Sequence, residues 1–312
     1  MSKLSRPRSG SLQVYPRKRA NKFLPSVNWN PVNGKGLVGF IAYKVGMASA
    51  IVKDSTEKSM TMGKKIVVPV TILEAPNMKI LSVRFYKNRR VLKEIIISND
   101  KELKRKIKTI ENIKNFDIEV PKEYDDIRVI VYSIVKQTSI KKTPDLIEIA
   151  IKGENKLEHV KGLINKEITI SDFFKYDLVD IRGLTRGHGL SGPVKRFGIG
   201  LRQHKSEKGV RRPGSLGPWH PARVTFRTPM AGQLGLFSRL HYNQRVIGLG
   251  NVRNRNINPG EGFKHYGKIK TSYIVIRGSV QGPPKRQILI TPSFRPTKAQ
   301  IKKKYELIEL IT

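Results

Sequence analysis

The sequence has no cysteine among its 312 residues and no long apolar run. The missing cysteines exclude disulfide bonds and cysteine-ligated zinc, and they are compatible with a reducing cytosol. The basic N-terminus lacks the apolar stretch of a secretory signal. We also find no basic amphipathic helix with a clean apolar face, which an interfacial membrane protein would use. These absences argue against a membrane as the partner.

Acidic residues are scarce in most of the chain. The sequence holds 24 Asp and Glu against 61 Lys and Arg, a formal net charge of +37. No carboxylate side chain precedes Asp54, and residues 181–260 contain 15 basic residues and one acidic residue, Glu207. Residues 93–180 differ, because 17 basic residues are balanced there by 17 acidic ones. Charge of one sign at this density favours a polyanionic partner, so two segments are predicted to lie against nucleic acid.

Strand patterns dominate the rest of the chain and indicate a mainly β fold with an α/β insertion. Strands are predicted at 37–43 and 48–52 around a turn at Gly46, and at 66–73, 79–85, 127–135, 146–151, 178–184, 245–249, 269–276 and 286–290. Helices are predicted from Asn99, with Glu102 completing a capping box, at 154–164, and in a short turn that Ser171 caps through Phe174.

Two basic segments have no clear helix or strand pattern. Residues 1–33 combine arginines with turn-forming prolines and glycine. Such an arm cannot bury enough apolar surface to order itself, so we expect it to fold on its partner. Residues 186–242 run for almost sixty residues without a clear strand, which inside a compact domain is typical of a functional loop.

Residues 187–192 match the G-x-G-x-x-G pattern of dinucleotide-binding turns, and a predicted strand precedes them. A cofactor site also needs a helix after the turn. Gly198 and Gly200 disfavour that helix, because each glycine costs about 1 kcal/mol in a helix interior. We therefore predict no cofactor, and we expect the glycines to let a loop thread close to RNA.

Four of the six histidines also fall in or beside this loop: His188, His204, His220 and His241. No pair has the close spacing of metal ligands, and Glu207 is the only carboxylate between residues 181 and 260. A nuclease that uses two metal ions needs several convergent carboxylates. The sequence thus predicts no metal site.

Residues 211–223 alternate arginine with glycine and proline around Trp219. The glycines and prolines keep the backbone irregular, while guanidinium groups bind phosphate oxygens through two parallel hydrogen bonds. Trp219 has two interpretations: a small local cluster with Phe226, or an aromatic at a loop tip that stacks on a base or ribose. The shortage of apolar neighbours favours the loop tip.

Together these motifs resemble the ribosomal protein L3 family. In the loop the resemblance is carried by residues 183–187 (GLTRG), 195–196 (KR), 219–223 (WHPAR), 231–233 (AGQ) and 243–247 (NQRVI). Elsewhere it is carried by 7–12 (PRSGSL), 16–20 (PRKRA), 39–40 (GF), 43–47 (YKVGM), 262–263 (GF), 266–267 (YG), 273–274 (YI) and Gly278. The form of the arm and the short C-terminus after residues 294–296 resemble archaeal members.

The resemblance implies a fold and a division of the chain. It implies a β-barrel of the translation-protein type with an inserted α/β lobe, an extended N-terminal arm and a long central loop. On this pattern residues 34–86, 177–185 and 243–312 form the barrel, and residues 87–176 form the lobe. Residues 1–33 are the arm, and residues 186–242 are the loop that penetrates rRNA.

The resemblance also implies a function, that of a structural constituent of the large ribosomal subunit in the cytoplasm. Such a protein binds 23S-type rRNA near its 3′ end, promotes early subunit assembly and extends its loop, with Trp219 at the tip, toward the peptidyl-transferase centre. Its partners are large-subunit rRNA and neighbouring large-subunit proteins. It has no catalytic residue, cofactor, metal, membrane contact or small-molecule substrate, and it is not an enzyme.

The predicted rRNA-binding residues come from the charge map and the matched motifs. They are Arg6, Arg8, Arg17, Lys18, Arg19, Arg182, Arg186, Lys195, Arg196, Arg202, Lys205, Lys208, Arg211, Arg212, Trp219, His220, Arg223, Arg227, Arg239 and Arg245.

Two other functions remain open from the sequence. An RNA-modifying enzyme with a basic docking loop predicts saturable binding of a nucleotide or S-adenosylmethionine to the glycine-rich turn. A chromatin-like DNA-binding protein predicts no preference for RNA over duplex DNA. A long irregular loop suits the pockets of compact RNA better than a regular duplex.

Overall fold

The computed structural model describes residues 8, 10–108, 116–138, 140–173, 176–205 and 209–312, and these are mainly β. The strands are β1 (Gly36–Leu37), β2 (Phe40–Asp54), β3 (Lys65–Ala75), β4 (Met78–Lys87), β5 (Arg90–Ile96), β6 (Asp126–Ser133), β7 (Leu146–Lys152), β8 (Leu178–Leu184), β9 (Leu190–Ser191), β10 (Gly232–Gln233), β11 (Ser238–Asn251), β12 (Ser272–Arg277), β13 (Gln287–Pro292) and β14 (Tyr305–Ile311). The α-helices are short: α1 (Phe116–Glu119), α2 (Lys156–Leu163), α3 (Ile170–Phe173), α4 (Pro193–Phe197) and α5 (Lys298–Lys302). Lys101–Arg105 and Val135–Gln137 are 3-10 helices.

Seven strands form one sheet in the order β13-β8-β11-β12-β3-β2-β14, and β13 also pairs with β2. β2 has three partners because it is 15 residues long. Its first residues pair with β13, its last residues pair with β14, and β3 pairs along most of its length. The long strand β2 therefore pairs with both terminal strands of this order, β13 and β14.

The predicted turn at Gly46 is wrong. The chain continues through Gly46 as a single strand, and the register of β2 against β3 shifts between Lys44 and Gly46. A bulge inserts one residue and bends a strand without reversing the chain. The glycine that resembles a turn in the sequence thus marks an irregularity inside one long strand.

A second sheet has five strands in the order β1-β7-β6-β4-β5. Its inner positions are fully buried, as Val83, Phe85, Val129 and Ile149 illustrate. β4, which the sequence analysis grouped with the first barrel strands, lies in this sheet and pairs with β5 and β6. The alternation of buried and half-buried positions in β6 matches one face on a core and one face toward polar surroundings.

The main hydrophobic core includes residues that precede the first strand. Trp29 and Val32 are 2% and 1% exposed and pack among the strands of both sheets. They fall within the segment predicted as an arm, but two large apolar side chains only three residues apart give that part of the segment enough apolar area to bury. The last part of residues 1–33 is therefore built into the core.

Most other predicted strands are confirmed. The predictions at 66–73, 79–85, 127–135, 146–151 and 178–184 correspond to β3, β4, β6, β7 and β8. The predictions at 245–249, 269–276 and 286–290 find β11, β12 and β13 but misjudge where they begin. β14 was not predicted; it is an edge strand whose side chains are half-buried or exposed, so no apolar run marks it.

The helix predicted from Asn99 is wrong in type for the residues that the structure describes. A 3-10 helix, Lys101–Arg105, stands there, and its N-cap is Asp100 without a side-chain capping bond. Residues 109–115 lie outside the described part of the chain. The helix predicted at 154–164 is confirmed as α2.

The cap predicted at Ser171 is also wrong. Ser171 lies inside α3, and Thr169 and Asp172 form the capping box instead. The Thr169 backbone N–H donates to Asp172 at 3.1 Å, and the Asp172 N–H donates to the Thr169 hydroxyl at 3.4 Å. Two possible capping residues lie two positions apart, and the one with a carboxylate three residues later forms the cap. Phe174 lies outside the described residues.

The chain divides into two compact units. The basic unit comprises Met1–Asn21 and Leu184–Ser238, and the larger unit comprises Lys22–Gly183 and Arg239–Thr312. None of the described helices is both long enough and apolar enough to cross a lipid bilayer. Over the described ranges, no three His, Asp or Glu side chains are grouped closely enough to hold a metal ion.

Candidate RNA interface

The basic unit combines the predicted arm and the predicted loop. Met1–Asn21 contributes six Lys and Arg, and Leu184–Ser238 contributes ten. Glu207 is the single acidic residue in either segment, and it lies outside the described residues. The unit therefore carries a large excess of positive charge that its own carboxylates cannot neutralise.

A short antiparallel ladder forms the base of the loop. β9 pairs with β10, with Ser191 opposite Gly232 and Leu190 opposite Gln233. The ladder is extended by backbone hydrogen bonds from His188 N–H to the Leu234 carbonyl and from Leu234 N–H to the Gly189 carbonyl, both 2.9 Å. The two ends of the predicted loop are therefore held together by main-chain bonds.

Gly235 is required for this base. Its φ of +77° lies in the left-handed region, and a Cβ there would lie 1.9 Å from the carbonyl oxygen of Arg186. A real Cβ never approaches backbone so closely, so any side chain would push the two sides of the loop base apart. Gly235 lies two residues after the matched stretch at 231–233, and only the folded loop shows why glycine is needed there.

The glycine-rich residues 187–192 form a turn into this ladder. Gly189 has a φ of +64°, and β9 begins at the next residue. The prediction that no helix follows the turn is wrong, because the short helix α4 spans Pro193–Phe197. Proline begins α4, and Gly198 in the left-handed conformation ends it. Proline suits the first helical position and glycine suits the residue after the last, so the same two residue types delimit α4. A five-residue helix is much shorter than the crossover helix of a dinucleotide-binding fold.

Aromatic side chains join the arm to the loop. The rings of Tyr15 and Phe226 meet edge to face with centroids 5.2 Å apart. The Arg17 guanidinium lies between Tyr15 and Phe197, 5.3 Å and 4.7 Å from their ring centroids, and donates to the Ser11 carbonyl at 3.0 Å. These contacts between residues far apart in sequence pack part of the predicted arm on the chain's own loop.

Backbone hydrogen bonds strengthen this packing. The Ala20 N–H donates to the Leu236 carbonyl at 3.0 Å, and the Arg8 guanidinium donates to the Arg227 carbonyl at 2.8 Å. The expectation that the arm orders only on its partner therefore needs revision for these residues. The loop supplies the apolar and polar partners that the arm sequence lacks.

Two of the predicted RNA-binding arginines are also structural. Arg196 donates to the Gln233 carbonyl at 3.0 Å and to the Met230 carbonyl at 2.9 Å, and Arg202 donates to the Pro213 carbonyl at 2.9 Å. Burial, and then the nearby charge of Arg17, lower the pKa of the Arg196 guanidinium. Two guanidinium groups close enough to repel each other form a surface that an anion would stabilise.

The remaining predicted side chains of the basic unit are exposed. These are Arg8, Lys18, Arg19, Arg186, Lys195, Lys205, Arg211, Arg212, Trp219, His220, Arg223 and Arg227. Trp219 is 86% exposed, and the ring that would be its local partner, Phe226, packs on Tyr15. The local-cluster interpretation of Trp219 is therefore not supported by the contacts of Phe226.

Three predicted residues belong to the larger unit. Arg182 and Arg239 are half-buried on β8 and β11, and Arg245 is 8% exposed. Burial lowers the pKa of the Arg182 guanidinium, which keeps its charge at neutral pH. Two further predicted residues, Arg6 and Lys208, lie outside the described residues.

Similarity to known proteins identifies the family. The sequence model of the family described as "Ribosomal protein L3" matches residues 1–108 and 84–311, which together span nearly the whole chain. The chain belongs to the ribosomal protein L3 family. Proteins of this family are structural components of the ribosome and not enzymes, so the RNA-modifying alternative loses its basis.

Several archaeal relatives named "Large ribosomal subunit protein uL3" are similar along almost the full length. The one from Methanocaldococcus jannaschii is 40% identical over 321 positions, covering 96% of this chain and 94% of the relative. Those from Methanococcoides burtonii and Archaeoglobus fulgidus are 37% and 36% identical, covering 96% and 95% of this chain and 95% and 94% of each relative.

Three residues that hold the interface together are not apparent from the sequence. Tyr15, Phe197 and Gly235 received no role, although each fixes the basic unit. A usable signal existed for Tyr15, since it is the only aromatic residue among residues 1–21 and needs a partner elsewhere to be buried. Phe226, the ring partner of Tyr15, lies some 210 residues further along the chain, so the local pattern could not name it.

Proposed function

We propose that this chain is a structural constituent of the large ribosomal subunit that binds 23S-type rRNA near its 3′ end. It promotes early subunit assembly and extends the loop of the basic unit toward the peptidyl-transferase centre. Its partners are large-subunit rRNA and neighbouring large-subunit proteins in the cytoplasm. The names of the relatives and the family support the ribosomal assignment.

One observation carries the RNA-binding part of the proposal. The basic unit holds sixteen Lys and Arg and a single acid in the sequence, and most of its described cations are exposed. Nothing within the unit can balance them, whereas rRNA phosphates can. The irregular backbone and the exposed Trp219 suit single-stranded or folded RNA, where bases are open to stacking.

We also propose the division of the chain that the family resemblance implies. The strands β13, β8, β11, β12, β3 and β2 are proposed to close into a barrel, and the pairing of β13 with β2 supports this because it gives each of the six two neighbours. Strands β5, β6 and β7 of the five-stranded sheet, with α2 and α3, support an inserted α/β lobe within residues 87–176; β1 and nearly all of β4 precede this range. Residues 1–33 and 186–242 are proposed as the rRNA-penetrating arm and loop.

RNA binding by the purified chain tests the proposal. We expect tight binding to fragments from the 3′ region of the large-subunit rRNA and weaker binding to a random RNA duplex of equal length. Affinity for a duplex should fall with salt by about 0.9 log units per log unit of salt for each phosphate contacted. Equal affinity for both RNAs would contradict specific rRNA recognition.

Trp219→Ala tests the loop tip, with Leu190→Ala as a control that removes an apolar side chain of similar exposure, 85%. An exposed tryptophan contributes little to the core, so we expect both variants to melt with the wild-type chain. Loss of base stacking should cost Trp219→Ala about 1–3 kcal/mol of rRNA binding. Global unfolding of Trp219→Ala, or equal binding by both variants, would refute the proposed role.

A further inference from the structure

The larger unit contains a positively charged pocket that the basic unit does not share. It has a volume of about 360 Å³, at the small end of the range for ligand sites. Its lining includes Arg245 and Gln244 of β11, Arg277 at the end of β12, His241, Gln300 and Lys303. Three permanent cations therefore converge on one small cavity.

The cations of this pocket are poorly neutralised. Asp177 lies 3.5 Å from Arg245, and its side chain is 87% exposed. In the part of the chain that the structure describes, no other carboxylate lies within 4 Å of Arg245, Arg277 or Lys303. Burial is the main cause that lowers the pKa of the Arg245 guanidinium; the charge of Asp177 raises this pKa, and the nearby charge of Arg277 lowers it by a smaller amount. Arg245 and Arg277 therefore repel each other. An anion in the cavity would relieve this repulsion.

The pocket also contains buried polar atoms without partners. The side chain of Arg245 is buried, with 8% exposure. It donates hydrogen bonds to the backbone carbonyl of Gln300 and, at 3.1 Å, to that of Ile301. Its Nε and the Oε1 of Gln300 have no hydrogen-bond partner among the described residues. An unpaired buried donor or acceptor is costly, so these atoms mark a place where a bound group or its water completes the bonding.

The geometry fixes one guanidinium at the side of the cavity. Arg277 donates to the Tyr305 hydroxyl at 2.7 Å and stacks on the same ring, 4.9 Å from its centroid. Stacking holds the plane of the guanidinium and leaves its other N–H groups available for a bidentate contact. A fixed fork of this kind matches the oxygens of a phosphate, and a point charge such as Lys303 adds a further donor.

We propose that this pocket binds one phosphate of an rRNA strand, with the adjoining nucleoside seated against His241 and Gln244. The inference rests on the proposed function, because a chain that binds rRNA brings phosphates to its surface at high local concentration. This contact with RNA lies in the larger unit and is separate from the contact that we propose for the basic unit. It would hold one nucleotide per chain. An imidazole and an amide are groups that stack on or hydrogen-bond to an unpaired base.

Lysine footprinting of the full chain locates the contact. The probe is a single-stranded RNA of twelve mixed nucleotides, and acetylation by an amine-reactive reagent is read by mass spectrometry. Lys303 lines the pocket, and its exposed neighbour Lys302 does not, so the pair is a matched control. We expect RNA to slow acetylation of Lys303 about tenfold, the effect of one charged hydrogen bond, and to leave Lys302 unchanged.

Variants and other probes separate the outcomes. Arg277→Gln should abolish protection of Lys303, whereas Arg253→Gln, which changes an exposed arginine outside the pocket, should retain it. If Lys303 were protected from acetylation by inorganic phosphate or by a hexaglutamate peptide but not by the RNA, the proposal that the pocket binds an RNA phosphate would be overturned. Protection of the loop lysines Lys195 and Lys205 without Lys303 would overturn the pocket and leave the proposed function intact. Protection of none of them would refute RNA binding itself.

A second measurement covers the case in which Arg277→Gln does not fold. Lys303→Gln changes an exposed side chain, so the variant should fold like Lys302→Gln. Plots of log affinity against log salt for the same RNA should be shallower by about 0.7 in Lys303→Gln, the contribution of one phosphate on a single strand. Equal slopes for the two variants would overturn the proposal.

Discussion

Arg17→Ala should loosen the basic unit without unfolding the larger unit. Arg17 is half-buried between the rings of Tyr15 and Phe197 and donates to the Ser11 carbonyl. Removing the side chain therefore deletes two cation–π contacts and one charge-assisted hydrogen bond at once. All of these contacts join the arm to the loop or shape the arm itself.

The size of the effect follows from those contacts. A cation over an aromatic ring at a partly exposed site contributes about 0.5–1 kcal/mol, so two rings give about 1–2 kcal/mol. The hydrogen bond to the Ser11 carbonyl adds about 1.5 kcal/mol. The Nε of Arg17 is buried without a partner among the described residues, and its removal returns about 1 kcal/mol. The net loss is about 2 kcal/mol, which corresponds to about a thirtyfold change in the opening equilibrium.

Amide hydrogen exchange is the assay, because it reports local opening segment by segment. The Ala20 N–H, bonded to the Leu236 carbonyl, and the Gly198 N–H, bonded to the Val194 carbonyl, should exchange about thirtyfold faster in the variant. Amides of β3 in the larger unit should be unaffected. Lys18→Ala is the matched control, since it removes an adjacent but exposed positive charge.

Equal exchange rates at those amides in Arg17→Ala and Lys18→Ala would contradict this prediction. That result would mean that charge, and not the sandwich of Arg17 between two rings, sets the stability of the unit. Equal acceleration in β3 would instead mean that the perturbation is global.

Two further predictions concern single residues. Gly235→Ala should open the loop base, because its Cβ would lie 1.9 Å from the Arg186 carbonyl oxygen; rapid proteolysis of the loop would show this, and Gly214→Ala, with open space at its Cβ, is the control. Hydrogen bonds from Thr56 and Thr61 lower the pKa of Asp54, so its contribution to stability is full above about pH 4 and is lost as the pH falls. Urea unfolding at pH 7 and pH 3 should therefore show a smaller pH dependence in Asp54→Asn than in the wild type or in Glu57→Gln; an unchanged dependence would contradict it.

The sequence allowed the strands of the larger unit to be predicted because burial imposes a period of two or a continuous apolar run. β3 and β6 follow these patterns closely. The periodicity of apolar residues did not predict the structure correctly where contacts with distant residues determine it. Gly46 looks like a turn until β3 is present to pair on both sides of it, and β14 has no apolar run because it lies at the edge of its sheet.

The candidate interface was predictable as a distribution of charge but not as an arrangement. Counting basic and acidic residues finds the segments of the basic unit, since electrostatic attraction to RNA depends on the number of charges. The count of charges cannot distinguish Lys195, which is exposed, from Arg196, which donates hydrogen bonds to backbone carbonyls of the loop. It also cannot bring Arg277 and Lys303 to Arg245, because only the fold joins those positions.

The basic unit is assembled from two segments that are made at different times. Met1–Asn21 is synthesised long before Leu184–Ser238, and the chain from Asn21 to Ser238 is 217 residues long. At about 5–20 residues per second, its synthesis lasts about 10–45 s. Until those later residues are made, Tyr15 lacks the ring of Phe226 and Arg17 lacks the ring of Phe197. The order of synthesis thus leaves the cationic N-terminal segment without its folded partner while other RNA is present. The delay sets how long this segment must be kept from binding RNA other than its own target.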